Sequence, residues 1–252
     1  VAGPVAGLGA GQAVGLPDGW KGLIQDAAST ATLCAALTMR ERSMDWRGIR
    51  SGVAREAQPR IYASAQTPSS VDKASWVAGI GQDNLVKIGP GSSGHAYEMD
   101  TEELQARISE DRAAGHIPAG IIAITGGTGI GAWDFLEPIA QIAKAEHLYT
   151  HLDAAWAGAA MICPEYRAQF WPGVEHFDSI VFNPHKWLGV QFDCSIQFLA
   201  DAQPQLNTLK IEPEYLKTSG EAVTNYSEWT IPLGRRFRAL KIWFMLRSYG
   251  LE

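Results

Sequence analysis

Four short apolar runs constrain this chain more than any other feature: Ile121-Ile122-Ala123-Ile124-Thr125, Leu148 to Leu152, Ser179-Ile180-Val181-Phe182 and Cys194 to Leu199. Runs this short and mostly apolar suit strands buried on both faces, and flanking helices provide that cover. Helical spacing fills the intervals. Ser29 to Arg42 carries Leu33, Ala36, Leu37 and Arg40 at that spacing, with Ser29 placed to cap its start. Ser69 to Ile80 and Asp100 to Ala114 read the same way. A further helix is predicted from Asp134, where Glu137 completes a capping box. Shorter strands are predicted at Arg60 to Ala63 and Asn84 to Ile88. This alternation predicts an α/β fold on a mainly parallel sheet.

Two of the strands end at chemistry. Asp153 closes the Leu148 to Leu152 strand, and Lys186 follows the Ser179 to Phe182 strand within Asn183-Pro184-His185-Lys186-Trp187. In such sheets ligands bind beyond the carboxyl ends of the strands, so both residues fall where a ligand is expected. An amine able to form a Schiff base and a carboxylate able to keep a pyridinium nitrogen protonated are what pyridoxal 5'-phosphate (PLP) needs from a protein. A phosphate also needs a cradle. Gln25-Asp26-Ala27-Ala28-Ser29-Thr30 runs directly into a helix, whose free N–H groups and positive dipole end suit an anion. Thr128, in the turn Gly126-Gly127-Thr128-Gly129, is a second polar candidate, and Ala155 is small enough for a ring to lie flat against it. Each residue alone also has a plain structural reading: a solvated lysine, a turn aspartate, a helix cap, a packed imidazole at His185. Their co-occurrence in order favours the coenzyme.

Composition removes other classes. The formal charge is −6, from 21 basic and 27 acidic side chains, and no basic run occurs, so no nucleic-acid partner is expected. No apolar run approaches the length of a membrane span and the first residues do not form a secretory signal, so no membrane association is expected. Cys34, Cys163 and Cys194 stand far apart without metal-ligand spacing, which predicts buried thiols, no metal and a cytoplasmic setting. Gly89-Pro90-Gly91-Ser92-Ser93-Gly94 fits a dinucleotide fingerprint, but there the helix begins within the motif. Here the next helix is predicted only near Asp100, so the fingerprint is set aside.

The stretches His151 to Gly158, Ile162 to Arg167 and Asn183 to Leu188 resemble the group II PLP-dependent decarboxylases, most closely those acting on aromatic L-amino acids. Gln25 to Thr32 and Ile231 to Arg238 fit the same family. The resemblance implies a fold type I large domain with a seven-stranded sheet, PLP as cofactor, an aromatic L-amino acid as substrate and a homodimer. It implies Lys186 as the covalent anchor, Asp153 as the ring-nitrogen partner and Ala155 under one ring face. It further implies Ala28, Ser29, Asn183 and His185 around the phosphate with Thr128 nearby, and Tyr215 in Pro213 to Lys217 as the proton donor to the substrate α-carbon. Lys210 to Asn225 is polar enough for a mobile loop.

Two positions depart from the family pattern. Gln66-Thr67-Pro68-Ser69-Ser70 has Pro68 where a ring-stacking histidine is usual, and Gly127 stands where a threonine is common. Proline can cover a ring face but cannot move a proton, and changes at this position accompany oxidative deamination to an aldehyde in the family. The family's N-terminal segment and C-terminal small domain have no counterpart, so residues 1–252 are expected to be a partial large domain. Three readings follow: a decarboxylase, an aldehyde synthase, or a truncated inactive scaffold.

Overall fold

The structure, a computed structural model, describes residues 11–54, 58–91, 97–211 and 224–250. Their strands form one sheet: β1 Lys21–Gln25, β2 Pro59–Ser64, β3 Leu85–Ile88, β4 Ile117–Ile124, β5 Tyr149–Asp153, β6 Ser179–Phe182 and β7 Ser195–Leu199. The spatial order is β1-β7-β6-β5-β4-β2-β3. From β6 across to β3 every neighbouring pair is parallel, while β7 runs antiparallel to both β6 and β1. Six strands therefore point one way, and the α/β expectation of a mainly parallel seven-stranded sheet holds.

The apolar runs are buried for the expected reason. Every residue of β5, β6 and β7 is buried, as are the last six of β4. Alternate side chains leave opposite faces of a strand. Ile121 and Ala123 join the core beneath α3 (Thr101–Ala113) and α4 (Leu136–Ala145). Ile122 joins the core beneath α1 (Ala28–Ser43) and α2 (Ser69–Val77). Each fully buried Ile, Leu or Phe contributes roughly 1.5–3 kcal/mol.

Helix α1 can lie close on the sheet because its inner face is small: Ala28, Ala31, Cys34, Ala35 and Ala36. It meets β4 at Gly120, where an added Cβ would stand 2.5 Å from Met39 and 2.6 Å from the Tyr149 carbonyl oxygen. Shorter helices α5 (Pro164–Phe170) and α6 (Gln203–Leu209) follow, and α7 (Ala239–Tyr249) closes the described chain.

Three local expectations are corrected. Ser29 is not the cap of α1: Ala27 holds that position and no side chain caps it. Asp134 does not cap α4, which begins after Phe135. Its buried carboxylate instead accepts N–H bonds from Met99 (2.7 Å) and Ile124 (2.8 Å), tying β4 to the segment before α3. Strand β1 was not foreseen, because Lys21 and Gly22 break its apolar pattern; pairing with β7 makes it a strand. Asp100 does cap α3, accepting from Glu102 and Glu103 N–H, so this helix starts beside Asp100 as expected.

Candidate active site

Because β1, β2, β4, β5 and β6 point the same way, the segments leaving them share one edge of the sheet. Asp153, the last residue of β5, is only 5% exposed. Its Oδ1 accepts the Ala155 N–H at 2.9 Å, whereas Oδ2 is buried with no hydrogen-bond partner. Burial raises its carboxyl above the ordinary range; the Ala155 N–H and the charge of Lys186 draw it part of the way back. A buried acceptor without a partner is costly and uncommon. The protonated nitrogen of a pyridine ring would satisfy it.

Lys186 is brought to Asp153 by backbone bonds between two strand ends. Ala154 N donates to Val181 O (2.9 Å) and Asn183 N to Ala155 O (3.3 Å); Lys186 N then closes a turn on Asn183 O (2.9 Å). Asn183 is buried and its Oδ1 accepts from Ser195 Oγ at 2.6 Å, which leaves the amide's donor end to face away from β7. His185 Nδ1 accepts the Cys194 N–H at 2.8 Å, so the ring proton lies on Nε2, and burial lowers the imidazole's pKa. The His185 ring lies 4.7 Å from that of Phe192. Arg238 grips Asp193 with two bonds, at 2.9 and 3.1 Å, which anchors this loop to the start of α7 and holds the Asp193 carboxyl down at about 2.

The phosphate candidates converge on the same place. Ala28 and Ala31 of α1 pack with Ala155 and Val181, so the helix start abuts the residue two beyond Asp153. No side chain caps that start and its first turn holds no acidic residue, leaving the Ala28 and Ser29 N–H groups for a ligand. Asp26 takes the Ala27 N–H at 2.8 Å, and the positive charges of Arg235 and Arg238 face it. Thr128 stands exposed in the turn after β4, on the same edge. Pro68 precedes α2 at the end of β2. Tyr215 lies outside the described residues. Orphan acceptor, nearby amine, small ring face and uncapped helix start together fit PLP.

Two features escaped the sequence. Thr125 Oγ1 is buried without a partner at the end of β4, where the residue reads as the tail of an apolar run. Beside it opens a cavity of about 290 Å³ walled by Trp133, Trp156, Tyr166, Phe170 and Trp187. Trp156 and Trp187, the neighbours of Ala155 and Lys186, meet edge-to-face at 4.6 Å. Only the fold brings these rings together.

Comparison with known proteins agrees. The chain is 40% identical over 234 residues to tryptophan decarboxylase 2 of Oryza sativa subsp. japonica, covering 92% of this chain and 46% of that protein. It is 39% identical over 236 residues to phenylacetaldehyde synthase of Arabidopsis thaliana, covering 92% and 46%. The structure is similar to a crystal structure of Oryza sativa TDC with PLP and tryptamine, at 33% identity and a TM-score of 0.91, covering 98% of this chain and 52% of that one. The chain thus spans about half the length of these relatives. Residues 9–252 match the pyridoxal-dependent decarboxylase conserved domain, and the chain belongs to that family.

Proposed function

We propose that this chain is the large coenzyme-binding domain of an enzyme that decarboxylates an aromatic L-amino acid to its amine and CO₂. The buried, unpartnered Asp153 Oδ2 beside Lys186 carries the reading. The coenzyme supplies an aldehyde for amine exchange and an electron-poor ring that stabilises negative charge at the substrate α-carbon. The protein does the rest. Lys186 would hold the coenzyme through its aldehyde. Asp153 keeps the ring nitrogen protonated, and Ala155 leaves one ring face open for close approach. The first-turn N–H groups of Ala28 and Ser29 hold the phosphate, with Asn183, His185 and Thr128 as further polar contacts. His185, with Nδ1 taken by the Cys194 N–H, has its Nε2–H available as a donor. Tyr215 is assigned to proton delivery at the α-carbon on the match at Pro213 to Lys217 alone.

The aromatic cavity and the similarity to a tryptophan decarboxylase support an aromatic substrate. A second copy of the chain is the proposed partner: Leu233, Phe237, Leu240, Trp243 and Phe244 are all exposed, and apolar surface on this scale favours an interface. A cytoplasmic setting rests on three unpaired cysteines, two of them buried. Among the described residues no helix is long and apolar enough to cross a membrane.

Borohydride reduction of the PLP-loaded protein followed by peptide mapping is expected to leave the label on Lys186 and none on Lys186→Ala. Label elsewhere, or no PLP uptake, refutes the proposal and leaves the inactive scaffold. A second reading is favoured by Pro68, which puts no proton-moving group at the end of β2, and by the similarity to phenylacetaldehyde synthase. In that reading the product is an aldehyde with ammonia and peroxide. Amine formation without oxygen uptake removes it.

A further inference from the structure

One imidazole joins the three elements that carry the candidate coenzyme contacts. His151 lies in β5 two residues before Asp153, so both side chains leave the same face of the strand. Its Nδ1 stands 3.0 Å from Ser179 Oγ, at the start of the strand that leads to Lys186. Its Nε2 stands 3.4 Å from Thr32 Oγ1, in the second turn of the helix whose first turn is the phosphate candidate.

The contact to Ser179 belongs to a longer hydrogen-bonded row. Thr230 Oγ1 donates to Gln25 Oε1 (2.6 Å), Gln25 Nε2 to Gln197 Oε1 (3.0 Å) and Gln197 Nε2 to Ser179 Oγ (3.0 Å). Ser179 Oγ and Thr32 Oγ1 can each donate or accept, so a neutral His151 ring satisfies both contacts in either tautomer. The connected hydrogen bonds run from Thr230 to Thr32 through groups none more than 2% exposed. Burial holds the His151 pKa down at about 3, so the ring is neutral and its two nitrogens keep distinct roles. A neutral core imidazole has one donor and one acceptor to satisfy, and partners within one element or from the backbone would suffice. This one bridges a helix and a neighbouring strand from the strand of Asp153.

We propose that His151 is a positioning residue for the coenzyme, fixing the spacing between the start of α1, which holds the phosphate, and Asp153, which holds the ring nitrogen. The proposal rests on the coenzyme reading above. A ligand gripped at both ends gains affinity when the two grips are held at the right separation; a ligand gripped at one end does not. A histidine that merely fills the core would affect folding without that distinction.

The test compares dissociation constants for PLP and for pyridoxal, which lacks the phosphate. They are measured on the unsubstituted chain, on His151→Phe and on Thr32→Val, alongside the melting temperatures of the ligand-free proteins. The expected result is PLP binding weakened about tenfold in His151→Phe and several-fold in Thr32→Val, on the scale of lost hydrogen bonds, with pyridoxal binding changed less than about twofold. If His151→Phe does not fold, Thr32→Val decides alone, because it keeps the imidazole packed and cuts only the tie to α1. Equal losses for both ligands, or unchanged PLP binding in Thr32→Val, overturn the proposal. No PLP binding by the unsubstituted chain refutes the coenzyme reading itself, a separate and prior outcome.

Discussion

A carboxylate placed among apolar groups is unfavourable unless its charge is met. Asp153 has one oxygen on a backbone N–H and the other buried without a partner, and its pKa is raised by that burial. Asparagine keeps the size and the acceptor but cannot hold a ring nitrogen protonated. Asp153→Asn is therefore expected to lower kcat by on the order of 10²–10³ with a smaller change in KM, measured by amine release. His151 gives a second prediction. It titrates near 6.5 when unfolded and near 3 when folded, so between those values the unfolded chain binds the extra proton. Stability from this group is complete above pH 6.5 and falls by roughly 1.4 kcal/mol per pH unit on the way down. Asp134 and Asp153, with carboxyls raised by burial, act in the opposite sense, so the readout is the difference in slope between the parent and His151→Phe in urea unfolding. An unchanged slope contradicts the neutral assignment. At this scale the placement of Lys186 and Asp153 at strand ends was legible, because each follows a mostly apolar run. Asp134 and Thr125 were not. The partners of Asp134 are backbone N–H groups of Met99 and Ile124, and the isolation of Thr125 Oγ1 depends on what packs around it.

Elements were legible wherever their pattern was strong. Strand β6 has the predicted bounds and β5 ends at Asp153 as expected. Strand β1 hid behind Lys21 and Gly22 because an edge strand is made by its partner, here β7, and not by its own composition. The start of α1 was misread for an instructive reason. Serine is a good cap, and the chain has one in reach, yet the structure leaves that helix end without a side-chain cap. An uncapped start is unfavourable for a bare helix and useful for one that receives an anion. The fit of α1 on the sheet depends on Gly120. Gly120→Ala is expected to cost about 1–3 kcal/mol through the clash with Met39 and the Tyr149 carbonyl. It should lower the urea midpoint with an unchanged m-value, and a midpoint within error of the parent contradicts this close approach.

For the molecule as a whole, a ligand that joins β5, β6 and α1 acts as a clamp. PLP at about 100 times its dissociation constant is expected to raise the unfolding free energy by about 2.7 kcal/mol. For a chain of this size that is a rise of several degrees in Tm, reduced in Lys186→Ala. No shift in the parent contradicts the clamp. Exposed Leu233, Phe237, Leu240, Trp243 and Phe244 predict self-association at micromolar concentration, read by sedimentation, with a monomer as the contrary result. The sequence by itself determined the fold class, because buried parallel strands need mostly apolar runs and those are local. It also placed Lys186 and Asp153 at strand ends, because both follow such runs directly; the sheet decided that those two strands are neighbours. Only the tertiary structure decided which polar atoms have partners. The orphaned Asp153 Oδ2, the aromatic walls around Thr125 and the hydrogen bonds through His151 each depend on residues far apart in the chain. Hydrogen bonding and burial act through space, so these features exist only after the sheet has brought its strands and α1 together.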